Sequence, residues 1–178
     1  MRNSLYVIRN SRHGFIASIK TFFMETRQKV NDVLNDLVRI NHDRAEGYEK
    51  AIRQLSLNDN ELKIMFRRYA SDSRDYASVL SAEVISNGGK AADSTTVSGK
   101  IYRAWMDVKT AFSKNEDESV LEACEFGEDA AQKAYKQALE GDVNLPDTIR
   151  DIVTKQKANL KSAHDEVKRE RDLHAAHH

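Results

Sequence analysis

The chain has little proline, little cysteine, few aromatics and no long apolar run, and each shortage narrows what it can be. One proline, seven glycines and 7% aromatic residues in 178 give too little turn punctuation and too few bulky strand formers for a sandwich or barrel. The single cysteine excludes an internal disulfide and a cysteine-based zinc site, and it fits a reducing, cytoplasmic setting. No apolar stretch approaches the roughly 20 residues that a transmembrane helix needs, so a soluble protein is expected. Asn87-Gly88-Gly89 lacks the Lys-Ser/Thr and the preceding strand of a phosphate loop, and no serine elbow occurs. The sequence therefore assigns no catalytic residue, no reaction and no organic cofactor.

Excess charge of either sign is also absent, since 28 Lys and Arg balance 28 Asp and Glu. The distribution is uneven, however. Residues 1–23 carry Arg2, Arg9, Arg12 and Lys20 with no acid, which marks them as a separate extension. Phe15, Ile16, Ile19, Phe22 and Phe23 follow Gly14 on one helical face; the extension reads either as a basic amphipathic helix for a membrane surface or a partner, or, the favoured reading, as a poorly ordered extension or as sequence ahead of a true start at Met24. The remainder lacks the basic patch that binding to nucleic acid requires.

What the chain does have is helical periodicity. Val30, Leu34, Leu37, Asn41, Ala45, Tyr48, Ile52 and Leu55 form an inner stripe from Glu25 to about Ser56. Asn58 or Asp59 then caps a second helix, whose inner face holds Leu62, Met65, Phe66, Tyr69, Ser73, Tyr76, Leu80 and Val84 before Asn87-Gly88-Gly89 stops it. Val97, Ile101, Trp105, Val108 and Phe112 mark a shorter helix, read as a crossover. Asn115 caps a third long helix carrying Leu121, Cys124, Glu128, Ala131, Tyr135 and Ala138 on one stripe, and Gly141 ends it. Pro146 opens the last, with Ile149, Ile152, Val153, Gln156, Leu160, Ala163 and Val167 facing inward. Four long helices of similar length, roughly 36 to 48 Å at 1.5 Å per residue, with a long connection between the second and third, predict an all-α, ferritin-like four-helix bundle. The expected domain spans residues 24–173, followed by a His-rich tail at 174–178.

Glu128 is the only charge on the third helix's stripe. A carboxylate facing a bundle core must be paired, protonated or bound to metal, because a bare buried ion costs several kcal/mol. Two readings follow. In one, Glu128 meets Arg44, Arg74, Tyr48, Tyr76 or Gln156 and sets helix register. In the other it joins Glu125, His164 and Glu49 in an incomplete site for iron or another divalent metal, since such cations take several oxygens and imidazoles at mid-bundle. No Glu-x-x-His occurs anywhere in the chain. Cys124 reads as a small apolar residue, because Glu122, Glu125 and Glu128 surround it with acid rather than with the positive charge a thiolate needs. His174, His177 and His178 form no defined site.

Tyr102-Arg-Ala-Trp-Met-Asp-Val-Lys109, then Glu122-Ala-Cys-Glu-Phe-Gly-Glu128 with Ala130, Ala131 and Tyr135, resembles a bacterial family of ferritin-like four-helix-bundle proteins of unknown function. Its pattern is H-R-x-W-x-D-x-K, then E-x-x-x-x-G-E-x-A-x-x-x-Y, then a histidine followed by an acid, which His164-Asp165 matches; Gly47-Tyr48 matches a Gly-aromatic pair. The resemblance covers about residues 27–172 and implies a ferritin-like fold linked to stress response, with no established reaction; the chain is accordingly expected to be a non-enzymatic, self-associating structural or interaction protein. The chain departs from the pattern at Tyr102, where the family has histidine, and at Ser73, where an acid is expected. Both changes remove a metal ligand or proton carrier.

Overall fold

The computed structural model describes residues 4–56, 59–93 and 116–176, with the backbone alone for 4–20, 22 and 116. Four α-helices account for nearly all of it: α1 Ser4–Gln54, α2 Asn60–Ser86, α3 Glu116–Glu140 and α4 Asp147–Ala176. The expected crossover helix lies outside the described residues. The Arg44–Ser73 and Asn31–Asn87 hydrogen bonds set α1 antiparallel to α2, and Arg44–Glu128 with Asn41–Tyr135 sets it antiparallel to α3. The Arg68–Glu166 and Asp59–His174 contacts likewise run α4 against α2. So α2 and α3 point the same way, and the end of α2 and the start of α3 lie at opposite ends of the bundle. That up, down, down, up order with one long crossover is the ferritin-like arrangement.

The helix limits follow from local chemistry. Asp59 caps α2 by accepting the Leu62 N–H. At the other end the Gly88 and Gly89 N–H groups donate to the carbonyls of Ile85 and Val84, a Schellman closure that needs the left-handed backbone seen at Gly88, φ 79°. Gly89 has no room for a side chain, because a Cβ there would lie 2.5 Å from the Asn31 amide. Asn35 fastens the following loop, donating to the Lys90 carbonyl and accepting from the Ala92 N–H.

Two expectations change. The first helix does not start at Glu25 but runs unbroken from Ser4. A lone glycine such as Gly14 costs a helix only about 1 kcal/mol, and no proline interrupts it. At the other end of the chain, His174 is part of α4 rather than of a tail. Burial matches the inner stripes closely, with Ile52, Tyr76 and Ile152 half-buried instead of buried. On α1 the buried set is wider than one stripe, adding Asn31, Val38, Ile40, Asp43, Arg44 and Ala51, because this helix packs against both α2 and α3.

The core falls into two apolar clusters. One holds Val30 to Ile40 of α1 with Ala77 to Val84, Ala131 to Ala138 and Leu145 to Leu160. The other holds Tyr48 to Leu55 with Leu62 to Ala70, Val120 to Cys124, Ala163 and Val167. Between them α1 contributes Asn41 and Arg44, α2 contributes Ser73 and α3 contributes Glu128, all buried. These polar residues form a belt across the middle of the bundle.

Candidate functional site

The charged part of the belt is built by α1, α2 and α3. Glu128 is 1% exposed and Arg44 3% exposed, so their charges face each other without solvent. Nε of Arg44 donates to Glu128 Oε1 at 2.7 Å, and one terminal nitrogen lies 2.7 Å from the same oxygen. The Tyr48 hydroxyl donates to the same oxygen. The other terminal nitrogen of Arg44 donates to Ser73 Oγ at 2.6 Å and reaches the Tyr69 carbonyl at 3.4 Å. The guanidinium also lies 5.2 Å from the Tyr48 ring centroid and 5.7 Å from that of Tyr69, within cation–π range.

Burial works against the charge on Arg44, but the Glu128 carboxylate outweighs it and holds the guanidinium even more firmly protonated than usual. Burial first, and then Glu128, pushes the Tyr48 phenol well above its ordinary value, so it remains a donor. The same two causes push the Cys124 thiol well up. With a buried, acid-flanked thiol there is no thiolate nucleophile here.

One turn away, a second set of bonds crosses the bundle. Asn41 Nδ2 donates to the Leu37 carbonyl at 2.8 Å and to the Tyr135 hydroxyl at 2.7 Å, and Tyr135 donates to Gln156 Oε1 at 2.7 Å. Three helices are thereby tied through neutral groups. Among the described residues, Glu128 Oε2 and Asn41 Oδ1 are buried acceptors that receive no hydrogen bond.

The four metal-ligand candidates from the sequence take different partners. Glu128 faces Arg44 and Tyr48. Glu125, one turn earlier, pairs with Arg171 of α4. His164 sits between Asp129 and Asp165, with Nε2 and Nδ1 each 3.1 Å from a carboxylate oxygen. Glu49 pairs with Arg74 beside a groove between α1 and α2 lined by His42, Glu46 and Ser78. Among the described residues, no hydrogen bond or ion pair joins any two of the four, and no three His, Cys, Asp or Glu side chains converge on a metal-sized position. Among the described residues these four donors do not fit one metal, because they stand apart and the Arg44 cation already faces the Glu128 carboxylate.

Of the five partners the sequence offered for Glu128, the structure selects Arg44 and Tyr48. Gln156 serves Tyr135 instead, and Arg74 serves Glu49. Sequence reasoning did not identify the bonds made by Ser73, Asn41 and Gln156. Their signal was present all the same, since each is a polar residue on a predicted inner stripe. Ser73 has a particular consequence. At the position where the resemblance calls for an acid, its hydroxyl accepts from Arg44 and donates to the Tyr69 carbonyl at 2.6 Å, so this position brings no second carboxylate to the Arg44 guanidinium.

A family model described as a domain of unknown function, DUF2383, matches residues 29–141. No curated protein matches the chain. Among solved structures it is similar to a mutant of Dps1 from Mycobacterium smegmatis, with a TM-score of 0.66 at 13% identity, covering 83% of this chain and 97% of that one. At such low identity the likeness concerns the fold, an all-helical ferritin-like bundle.

Proposed function

The chain belongs to the family described as a domain of unknown function, DUF2383, and from that premise and the geometry of the belt we propose a structural, self-associating bundle protein without a reaction of its own. Its role is of the stress-associated interaction kind that the sequence resemblance implies. The observation that carries this reading is the Arg44–Glu128 pair, in which a guanidinium with two nitrogens 2.7 Å from Oε1 supplies the positive charge that a metal supplies in carboxylate bundles. Self-association draws on Ile64, Val79 and Ile85, large apolar residues of α2 that are 64%, 44% and 63% exposed and can be covered by a second copy.

Light scattering of the purified protein tests association. The expected result is a mass above that of one chain, and a monomer at all concentrations would refute it. The competing reading is an iron-binding protein centred on Glu128, favoured by the buried, unaccepted Oε2. Elemental analysis of wild type and Glu128→Gln after dialysis separates the two, since the terminal histidines contribute equally to both proteins. Equal metal content and no metal-induced rise in melting temperature are expected. Near-stoichiometric metal that Glu128→Gln loses would reverse the conclusion.

A further inference from the structure

We propose that the amino-terminal arm of α1 is a docking surface for an anionic phospholipid bilayer, lying in the headgroup plane while the bundle stays in water. The helix is continuous from Ser4 to Gln54, yet the first described side chain to enter the core is Val30. Thr21 and residues 23–29 are exposed, Phe23 at 60% and Met24 at 71%. The part of α1 ahead of the core is therefore about 39 Å long at 1.5 Å per residue. Along it Leu5, Ile8, Phe15, Ile19 and Phe22 recur at helical steps, which puts them on one stripe. Arg12 falls within that stripe, and Arg9, Lys20 and Arg27 share one flank of it.

The charges decide which partner fits. A second copy wound in parallel and in register against this stripe would bring Arg12 against Arg12 at the seam. It would also find no acid in residues 1–23 to pair with the basic flank, whereas coiled coils place opposite charges there. A nucleic acid would neutralise the cations but leave the apolar stripe in water. An anionic bilayer satisfies both features, because the apolar face enters the acyl boundary while the arginine and lysine stems reach up to the phosphates. Among the described residues no helix is long and apolar enough to cross a membrane, so the arm lies on the surface. The rest of the chain carries the compensating negative charge, which keeps the bundle away from the same lipids.

Co-sedimentation of the full chain with vesicles of phosphatidylcholine alone, and of equal parts phosphatidylcholine and phosphatidylglycerol, tests this. The protein is expected to pellet with the anionic vesicles only, less so in high salt. Arg9→Gln/Arg12→Gln is expected to lower partitioning about 25-fold, at about fivefold for each cation removed. Phe15→Asn/Ile19→Asn is expected to abolish it. Both variants change positions ahead of Val30, the first described side chain in the core, so the denaturant midpoint of the bundle is expected to stay the same. Failure to bind anionic vesicles, or equal binding to both kinds, would overturn the proposal. So would an oligomer that Phe15→Asn/Ile19→Asn dissociates, which would make a second copy the occupant.

Discussion

Two arginine–glutamate pairs tie α1 to its neighbours, and they differ mainly in how much water surrounds them. Arg44–Glu128 joins α1 to α3 with side chains 3% and 1% exposed, while Arg74–Glu49 joins α2 to α1 with side chains 53% and 42% exposed. In the exposed pair, water screens the charges and solvates either one when its partner is gone. In the buried pair no such replacement exists, so each charge depends on the other together with Tyr48 and Ser73. The difference shows why one contact type serves two purposes. At mid-bundle it dictates how α1 and α3 must be registered, and at the rim it adds little beyond solubility.

The strongest test of that contrast removes one buried charge. Glu128→Gln leaves the Arg44 guanidinium without a counter-charge, and urea unfolding is expected to show a loss of about 3 to 5 kcal/mol. The double change Arg44→Met/Glu128→Leu is expected to regain most of it, because two apolar side chains of similar size need no solvation. A double variant as unstable as the single would mean that the belt's hydrogen bonds, rather than its charges, hold the centre.

Next in size is the neutral part of the belt. Tyr135→Phe leaves Gln156 Oε1 without the donor it has at 2.7 Å and deprives Asn41 of an acceptor. A cost of about 1 to 3 kcal/mol is expected for buried polar groups stranded in this way. A value as large as that of Glu128→Gln would erase the distinction between charged and neutral tethers.

His174 gives a smaller effect that depends on pH. Its Nδ1 meets the Glu170 carbonyl at 2.8 Å and its Nε2 meets Asp59 Oδ2 at 3.3 Å, so both nitrogens face acceptors and the ring is best satisfied when doubly protonated. Burial pulls the ring's pKa down, but the Glu170 carbonyl and the Asp59 carboxylate outweigh it, and the folded value lies above the ordinary 6.5. A raised folded value stabilises the protein below the unfolded pKa, and the gain disappears as pH rises through the folded one. His174→Gln is therefore expected to lower stability by about 1 kcal/mol or less in the acid range. The gap should close in alkaline solution, as unfolding midpoints measured across pH would show. The smallest effect belongs to the exposed pair, where Glu49→Gln is expected to change stability by about 0.5 kcal/mol or less.

Much of this architecture was legible in the chain. Leu34, Leu37, Tyr48, Phe66, Leu80, Leu121, Tyr135 and Leu160 were all expected inside and are all buried, because helical spacing assigns a face whatever the neighbours are. The Asp59 cap and the Gly88 stop were legible for the same reason, being local backbone chemistry. The start of α1 was not. The change in charge and pattern near Met24 suggested a boundary, whereas no proline interrupts the chain between Ser4 and Gln54 and the helix runs through it.

Glu128 shows where the sequence stops informing. Its place on an inward stripe made it a buried carboxylate in need of a partner, and the sequence named Arg44, Arg74, Tyr48, Tyr76 and Gln156 as choices. Selecting Arg44 and Tyr48 required the axial register and rotation of α1 against α3. The same geometry turned Glu125 to Arg171, Glu49 to Arg74 and His164 to Asp129, and so separated four residues that a metal would have had to gather. The sequence by itself determined the helices, their inner faces and the presence of a buried acid, since these depend on spacing within one segment. The tertiary structure alone decided what that acid meets, because register between helices is set by the packing of all four at once and is written in no single stretch of the chain.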